Sequence, residues 1–432
     1  MSEASTTRAH AWSLFVRALQ MLRAAGFAVF VLARDWIRGP RSGFLRALGR
    51  ALVRACTDLG ATFIKVGQIA STRADLLPPA VAHELSALRD RVPPFDFAHV
   101  RSTFAEDFGA PIEHFFSEFD AVPVAAASVA QVHRAVVRDS GETVAVKVRR
   151  PDILAKIQLD RSILLFLGRT LEKLVPSLRL ISLENALRVF CDAVEQQTDF
   201  LSEAENNRRF TENFADDADV RFPRLLPHLC SGRILTMEFV EGVREEEIEA
   251  AGIDVRRVVD AGMRCVCRMI FSHGFVHADL HPGNMRFYPP GRVVLFDLGL
   301  VGSLVDEDRI NTAQTLYAFA SGDGVTVARL FHQNSPHKQT KDYAAYEREV
   351  CDMVDDIRRR GLGNLQVTLE IGRIFDVLRR HHIQARSHMT MVNLALMTAE
   401  GLGKRLDPSL SLTDAALPYL REALDTAPPE RT

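Results

Sequence analysis

The chain has 432 residues, of which 47% are hydrophobic and 25% charged, and a formal net charge of −2. A chain of this length holds about two or three domains, and its near-neutral charge argues against a nucleic-acid partner. The charge is uneven, because residues 1–60 carry nine Arg against three acidic side chains. The six Cys form no Cys-x-x-Cys pair, so they favour buried thiols in a cytoplasmic protein over a disulfide framework.

The N-terminal segment over residues 11–36 is predicted to be a helix that carries Arg17, Arg23 and Arg34. Its longest uninterrupted apolar stretch, residues 24–33, is shorter than the roughly 18 residues of a membrane span, so we expect no transmembrane helix. The N-terminus also lacks a signal-peptide pattern. A basic amphipathic helix either packs on the rest of the protein or lies on an anionic membrane surface, and both interpretations stay open.

A second helical pattern covers residues 44–70 and contains the sequence Lys-Val-Gly-Gln. Lys65 and Gln68 lie three positions apart, so they share one face of the predicted helix. Taken alone, this pair does not indicate a function.

Alternating hydrophobicity replaces the helical pattern between residues 117 and 149, where two strands flank a turn. The second strand, residues 143–149, places Ala145 and Lys147 on one face. In kinases the small residue of such a Val-Ala-x-Lys motif contacts the nucleotide base, and the Lys binds the α- and β-phosphates. The stretch therefore predicts a nucleotide-binding lobe.

The loop before the first of these strands is rich in Ala where kinases have Gly. The three glycine positions fall on Ala125, Ala127 and Ala130, and Val132 takes the position of the residue that covers the base. Each added Cβ restricts positive φ angles and keeps the backbone farther from the phosphates, so we expect the γ-phosphate to be held less well than in an ordinary kinase. The nucleotide contacts predicted for the loop are Ala125, Ala126, Ala127, Ser128, Ala130 and Val132.

An acidic stripe is predicted on residues 183–214, which read as one helix with Glu195, Asp199 and Glu203 at i, i+4 spacing. Such a stripe is as often a solvated face as a functional one. A kinase nucleotide lobe needs a glutamate that pairs with its phosphate-binding Lys. We predict that Glu203 pairs with Lys147 and that both belong to the catalytic set.

A short segment after the next predicted strand is typical of the connection between two kinase lobes, whose backbone binds adenine. The residues predicted to contact the nucleotide there are Met237, Glu238 and Val240.

The densest motif is His-Ala-Asp-Leu-His-Pro-Gly-Asn at residues 277–284, followed by a turn and by Asp-Leu-Gly at residues 297–299. Phosphoryl transfer requires one carboxylate that orients the attacking hydroxyl, and oxygen ligands that hold Mg²⁺ against the phosphates. We predict the first role for Asp279 and the second for Asn284 and Asp297. The chain then enters another helical pattern almost directly, without the Ala-Pro-Glu motif that follows the activation loop of regulated kinases.

In combination these motifs resemble the UbiB/AarF family of atypical, kinase-like ATPases linked to ubiquinone and other prenyl-lipid metabolism. The resemblance runs from about residue 59 to residue 408. It also includes Leu-Gly-Ala-Thr-Phe-Ile-Lys-Val-Gly-Gln at residues 59–68 and Ala-Gln-Val-His-Arg-Ala at residues 130–135.

The resemblance implies an α+β fold, namely an atypical protein-kinase-like bilobal fold with a mostly helical C-lobe. The domains implied are an N-terminal helical extension at 1–115, a nucleotide lobe at 116–242 with a helical insertion at about 151–185, and the C-lobe at 243–432.

The family also implies a function. The helix with Lys65 and Gln68 would cover the active site together with Asp199, where a protein kinase admits its peptide. The implied activity is therefore lipid-stimulated ATP hydrolysis rather than protein phosphorylation, with ATP or ADP and Mg²⁺ as ligands. The implied partners are a prenyl lipid or an anionic membrane surface and lipid-biosynthesis proteins, at a cytoplasmic or peripheral location on the inner face of the membrane.

Two features depart from the family pattern. The family has Glu-x-Asp where this chain reads Gln197-Thr198-Asp199, although Glu195 lies one turn earlier on the same predicted face. Many bacterial members end in transmembrane helices, which this sequence lacks, so any membrane contact is expected to be peripheral.

Two other functions stay open. One is a small-molecule kinase of the aminoglycoside or choline type, against which the Ala-rich loop and the Lys65 and Gln68 element argue. The other is a nucleotide-binding regulatory pseudokinase with little turnover, to which Gln197 lends weight.

Overall fold

The computed structural model describes residues 3–38, 43–71, 77–88, 93–174, 183–336, 338–360 and 367–425. The chain forms two compact units. The first contains residues 1–204 and 224–239, and the second contains residues 205–223 and 240–432.

Helices make up most of the described chain. They are α1 (Glu3–Arg38), α2 (Gly43–Leu59), α3 (Ala61–Ser71), α4 (Pro79–Leu85), α5 (Phe97–Phe108), α6 (Ile112–Phe115), α7 (Ile153–Leu174), α8 (Leu183–Gln196), α9 (Phe200–Asn213), α10 (Val255–Cys267), α11 (Asp306–Ser321), α12 (Gly324–Gln333), α13 (Tyr343–Arg360), α14 (Val367–Arg380), α15 (Ser387–Leu406) and α16 (Leu412–Asp425).

Short strands form three sheets in the described residues. They are β1 (Phe116–Phe119), β2 (Ala125–Ala126), β3 (Ala130–Val137), β4 (Thr143–Arg149), β5 (Val220–Arg221), β6 (Ile234–Glu238), β7 (Phe275–His277), β8 (Met285–Tyr288), β9 (Arg292–Leu295) and β10 (Val301–Ser303).

The first unit contains the largest sheet, in which β1, β3, β4 and β6 lie in that order and β2 pairs with β3. All these pairings are antiparallel. Val144, Val146 and Val148 of β4 are fully buried and pack with Phe104 of α5 in one core. The predicted strand at residues 143–149 is thus β4, and its apolar face forms the core of the lobe.

The single helix predicted over residues 44–70 is two helices, α2 and α3. Gly60 separates them with a φ of +90°, a conformation that a residue with a Cβ rarely adopts. Gly67 within α3 has a different reason to be glycine. A Cβ there would lie 2.4 Å from Cδ1 of Leu88, so a larger residue would force the Leu88 side chain to move.

The single helix predicted over residues 183–214 is also wrong, because it divides into α8 and α9 at residues 197–199. The Asp199 carboxylate accepts the backbone N–H of Leu201 at 3.1 Å and caps the start of α9. Glu195 belongs to α8, where it accepts a hydrogen bond from Gln158 at 3.3 Å. The acidic stripe therefore does not exist, since its members lie on two helices.

The second unit has a three-stranded sheet in the order β5, β9, β8 and a separate antiparallel pair of β7 with β10. Its main core includes Phe210, Phe222 and Phe275, together with apolar residues of α10 and α15. A π-helical turn, Arg268–Ser272, continues α10 toward β7. From residue 306 onward the described chain is almost entirely helical, as the sequence predicted for this part.

Among the residues that the structure describes, one helix is long and apolar enough to cross a membrane by length and composition alone. It is the Phe15–Arg34 part of α1, whose mean hydropathy is 1.6 and of which 17% is buried. Arg17 and Arg23 interrupt the apolar residues of this segment, and the expectation that the chain has no transmembrane helix stays a prediction.

Candidate nucleotide-binding and metal-binding residues

Lys147 and Glu203 form a buried ion pair in the first unit. The Nζ atom of Lys147 donates to both carboxylate oxygens of Glu203, at 3.0 and 2.8 Å. The ring of Phe200 lies 5.2 Å from the same nitrogen, so the ammonium is held by charge on one side and an aromatic face on another. The Glu203 chosen from the sequence is therefore the glutamate that the structure pairs with Lys147.

The pairing of the strands places the other residues predicted to contact the nucleotide on one face of the sheet. Val132 of β3 lies opposite Lys147, and Ala125 of β2 lies opposite Val132. Met237 of β6 lies opposite Ala145. Directly paired residues project to the same face of a sheet, so these five side chains share one face.

The Ala-rich loop is a tight hairpin between β2 and β3. The N–H of Ala127 donates to the carbonyl of Ala130 at 2.8 Å, and Ser128 between them is fully buried. None of residues 125–130, which all lie in the described chain, has a positive φ. The loop thus uses only backbone conformations that alanine tolerates, which explains how it forms without glycine.

Arg150 fixes this loop, a role that sequence reasoning missed. Its Nη2 donates to the carbonyl of Ala127 at 3.0 Å and to that of Pro93 at 3.0 Å. Its backbone N–H donates to the carbonyl of Val129 at 2.8 Å. The only signal in the sequence was the position of Arg150 directly after the Lys147 strand.

The predicted hinge residues lie where the chain passes from one unit to the other. Met237 and Glu238 end β6 in the first unit, whereas Val240 is the first residue of the following part of the second unit. The Glu238 backbone N–H donates to the carbonyl of Arg224 at 2.9 Å.

The predicted cover residues belong to the first unit. Lys65 is buried on α3, and Gln68 donates from Nε2 to the carbonyl of Leu88 at 3.2 Å. Within the described chain, Oε1 of Gln68 and Nε2 of the buried Gln197 are without hydrogen-bond partners. Asp199, the third predicted cover residue, uses its carboxylate to cap α9, which carries Glu203.

The second unit brings Asn284 and Asp297 to one end of a hairpin. The strands β8 and β9 pair Met285 with Leu295, and the N–H of Phe296 donates to the carbonyl of Asn284 at 3.1 Å. Asp297 follows with a φ of +59°, a left-handed conformation that is uncommon for residues other than glycine but that Asp adopts more readily than most. The register of this hairpin therefore explains why residues thirteen positions apart end up as neighbours.

Asp279 is positioned by two contacts of its backbone. Its N–H donates to Nδ1 of the buried His277 at 3.1 Å, and its carbonyl accepts from Nδ2 of Asn284 at 3.2 Å. Burial lowers the pKa of His277, so the imidazole stays neutral and Nδ1 stays an acceptor. The Asp279 side chain is half-exposed.

Asn206 is a further residue that contacts the segment carrying Asp297, which is predicted to bind the metal. Its Nδ2 donates to the carbonyl of Leu298 at 2.9 Å, and it thereby holds the Asp-Leu-Gly segment from α9.

The donor set fits Mg²⁺ bound together with a nucleotide. No group of three His, Cys, Asp or Glu side chains is arranged as a metal site within the described residues. Mg²⁺ in nucleotide sites uses one or two carboxylates and completes its shell with phosphates and water, so it does not need such a group. The Asp297 carboxylate and the side-chain oxygen of Asn284 are hard ligands of the required kind.

The fold and these residues define the class of kinase-like proteins, and comparison with known sequences defines the family. The ABC1 atypical kinase-like domain matches residues 87–331, and the UbiB helical domain matches residues 350–411. The chain belongs to the UbiB family of atypical kinases, as the sequence motifs indicated, and its α+β bilobal kinase-like fold is confirmed.

A curated relative and a solved structure agree with this assignment. The probable protein kinase UbiB of Shewanella halifaxensis (strain HAW-EB4) is 30% identical over 403 residues, which cover 92% of this chain and 73% of the relative. The Rv3197–erythromycin complex from Mycobacterium tuberculosis has a TM-score of 0.55 at 20% identity, over 83% of this chain and 91% of that one. The second likeness concerns the fold alone.

Proposed function

We propose that this protein is a Mg-ATP-dependent atypical kinase or ATPase that supports ubiquinone or other isoprenoid-lipid biosynthesis. The observation that carries the proposal is the bidentate Lys147–Glu203 pair, which is the phosphate-binding arrangement of active kinases. Membership of the UbiB family supports the connection with ubiquinone.

Each candidate residue has a distinct role in the proposed reaction. Lys147 binds the α- and β-phosphates, and Glu203 holds its ammonium in place. Asp279 orients the attacking oxygen and accepts its proton. Asn284 and Asp297 hold Mg²⁺, which when bound neutralises the charge that develops on the phosphates.

The contacts with the base and the phosphates come from the shared sheet face and the Ala-rich loop. We propose that Ala145 and Val132 contact the base, with the backbone of the segment around Met237, Glu238 and Val240 beside them. Because the loop backbone bears methyl groups in place of hydrogens, it approaches the γ-phosphate less closely than a Gly-rich loop does. The expected result is slow turnover with substantial affinity for ADP.

The lipid-responsive part of the proposal rests on the segment around Lys65 and Gln68. If this segment covers the site, water and small acceptors reach the phosphates more readily than a peptide does. We therefore propose lipid-stimulated ATP hydrolysis, with a prenyl lipid or an anionic membrane surface as the stimulus. The buried Gln197, whose Nε2 has no partner in the described chain, favours a second candidate, a nucleotide-binding regulator with little turnover.

Phosphate release from Mg-ATP, with and without anionic vesicles, separates the two candidates. The enzyme hypothesis predicts slow release that vesicles stimulate and that Asp297→Asn abolishes. The matched control is Asp260→Asn, an exposed carboxylate on α10 of the same unit, which should leave release unchanged. Nucleotide binding without release in the unaltered protein would support the regulator, and release that survives Asp297→Asn would remove Asp297 from the mechanism.

A further inference from the structure

Six large apolar side chains on α1 are exposed along one face of the helix. They are between 58% and 69% exposed and recur at helical spacing. We call this set the outer apolar face, and it consists of Trp12, Phe15, Leu19, Leu22, Val29 and Phe30. A continuous apolar surface of this length is unusual on a soluble helix and marks an interaction site.

The opposite face of α1 is fixed to the first unit. Arg17 donates from Nε and Nη2 to both carboxylate oxygens of Asp160 on α7, at 2.6 and 3.0 Å, and Asp160 is fully buried. Nη2 of Arg17 also donates to the carbonyl of Leu59 at 2.9 Å. The guanidinium of Arg54 on α2 lies 5.4 Å from the ring of Phe27.

Basic side chains lie beside the outer apolar face. Arg23 follows Leu19 by four residues and Arg34 follows Phe30 by four, so each lies next to the face, and both are exposed. Arg46 is a further exposed basic residue, near the start of α2, the helix that packs against α1. An apolar face bordered by arginines complements the acyl chains and anionic headgroups of a bilayer surface.

We propose that the outer apolar face of α1 is a docking surface for an anionic lipid bilayer, on which the helix lies parallel to the membrane plane. The inference deepens the proposed function by naming the surface that meets the lipid, and it rests on that function for its biological meaning. Docking in this way keeps the Arg17–Asp160 pair and the Arg54–Phe27 contact.

The same contacts argue against the other arrangements of α1. Arg17 lies inside the Phe15–Arg34 segment, so a helix that crossed the bilayer would have to break its ion pair and leave Asp160 buried without its partner. Pairing of two copies through α1 would bury the apolar side chains but would not use Arg23 and Arg46.

Vesicle flotation of the full chain without nucleotide tests the proposal and does not depend on ATP hydrolysis. We expect the protein to float with phosphatidylcholine vesicles that contain phosphatidylglycerol and to float weakly with phosphatidylcholine alone. Leu19→Glu with Leu22→Glu should lower the partition coefficient about ten-fold or more, since two acyl-inserting side chains become charged. Arg23→Gln with Arg46→Gln should remove the preference for anionic vesicles.

The matched control is Val305→Glu with Val325→Glu, two exposed apolar residues of the second unit that should not affect flotation. Circular dichroism and thermal unfolding verify that each variant is folded. Three results would overturn the proposal: flotation that the Leu19 and Leu22 changes do not reduce, binding that resists extraction with alkaline carbonate, or a lipid-free dimer that the same changes convert to a monomer. ATP hydrolysis without vesicles is measured on the same samples, so a failure of docking is distinguished from a failure of catalysis.

Discussion

Lys147 on β4 donates to both carboxylate oxygens of Glu203 on α9, although 56 residues separate them in sequence. The side chains of this pair are 11% and 3% exposed, so neither charge is solvated if the other is removed. Asp199 caps the helix that carries Glu203, and β3 and β6 flank the strand that carries Lys147. Both members of the pair are therefore held by ordered secondary structure.

Glu203→Gln should lower both stability and activity. Removing one partner of a buried ion pair typically destabilises a protein by about 3–5 kcal/mol. Urea unfolding should show this loss, and a double variant with Lys147→Met should be less destabilised than the sum of the single changes. Arg208→Gln with Glu205→Gln removes an exposed pair in the same helix and should have a much smaller effect. Additive effects of the Lys147 and Glu203 changes would contradict the pairing.

Ala127→Gly should shift nucleotide preference toward ATP. The change removes a Cβ from the loop and frees its backbone to approach the γ-phosphate. Calorimetric titration should show that the dissociation constant for ATP falls several-fold relative to the dissociation constant for ADP. Ala121→Gly, an exposed position in the turn before β2, provides the control. Equal ratios before and after Ala127→Gly would refute the interpretation of the loop.

Arg150→Met should weaken nucleotide binding by releasing the Ala-rich loop. The variant loses the hydrogen bonds to the carbonyls of Ala127 and Pro93, so the loop has more conformations to lose on binding. We expect about a ten-fold rise in the dissociation constant for ADP. The control is Arg138→Met, which also removes hydrogen bonds to backbone carbonyls, those of Glu113 and Phe116, but away from the loop. An equal loss of affinity in both variants would mean that the effect is a general loss of stability.

The stability of the first unit should fall in acid because of His133. Its Nδ1 donates to the carbonyl of Asp120 at 2.7 Å, and its Nε2 accepts from Nε2 of Gln131 at 2.9 Å. Protonation of Nε2 would therefore place its N–H against the N–H of Gln131, and the hydrogen bond would be lost. Burial lowers the pKa of His133 below its usual 6.5. The unfolded state therefore binds more protons as pH falls through about 6.5, and the stability present above that pH is progressively lost.

Urea unfolding between about pH 8 and 5 tests this dependence. His133→Leu should lower stability at neutral pH, because Gln131 and the Asp120 carbonyl lose a partner. The free energy of unfolding of this variant should also depend less on pH below about 6.5. An unchanged slope would assign the dependence to other buried histidines, such as His277.

We expect Arg17 to transmit the effect of vesicle binding from α1 to α3, the helix that carries Lys65. Besides binding Asp160, its guanidinium lies 5.7 Å from the ring of Phe63 on α3. In Arg17→Gln with Asp160→Asn, we expect vesicle binding to persist and vesicle-stimulated phosphate release to fall to the unstimulated rate. Arg161→Gln with Asp192→Asn removes a more exposed ion pair, between α7 and α8, and serves as control. If vesicles stimulate phosphate release as strongly in the Arg17 variant as in the unaltered protein, Arg17 does not transmit the effect of vesicle binding.

The sequence alone determined the family, the fold class and the identity of the residues proposed for chemistry. Period-two alternation in β4 assigned Ala145 and Lys147 to one face, and the spacing of Asp279, Asn284 and Asp297 indicated phosphoryl transfer. These features could be read because each depends on a local repeat or on a motif with fixed spacing.

Only the tertiary structure decided the division of residues 183–214 at Asp199, the anchoring of the loop by Arg150, and the exposure of the outer apolar face of α1. A helical hydrophobic pattern continues through a cap, so it does not show where one helix ends and another begins. Arg150 acts on backbone carbonyls, which are the same for every residue type and leave no trace in the sequence. Whether an apolar stripe is buried or exposed depends on which neighbours cover it, and that is a property of the packed chain.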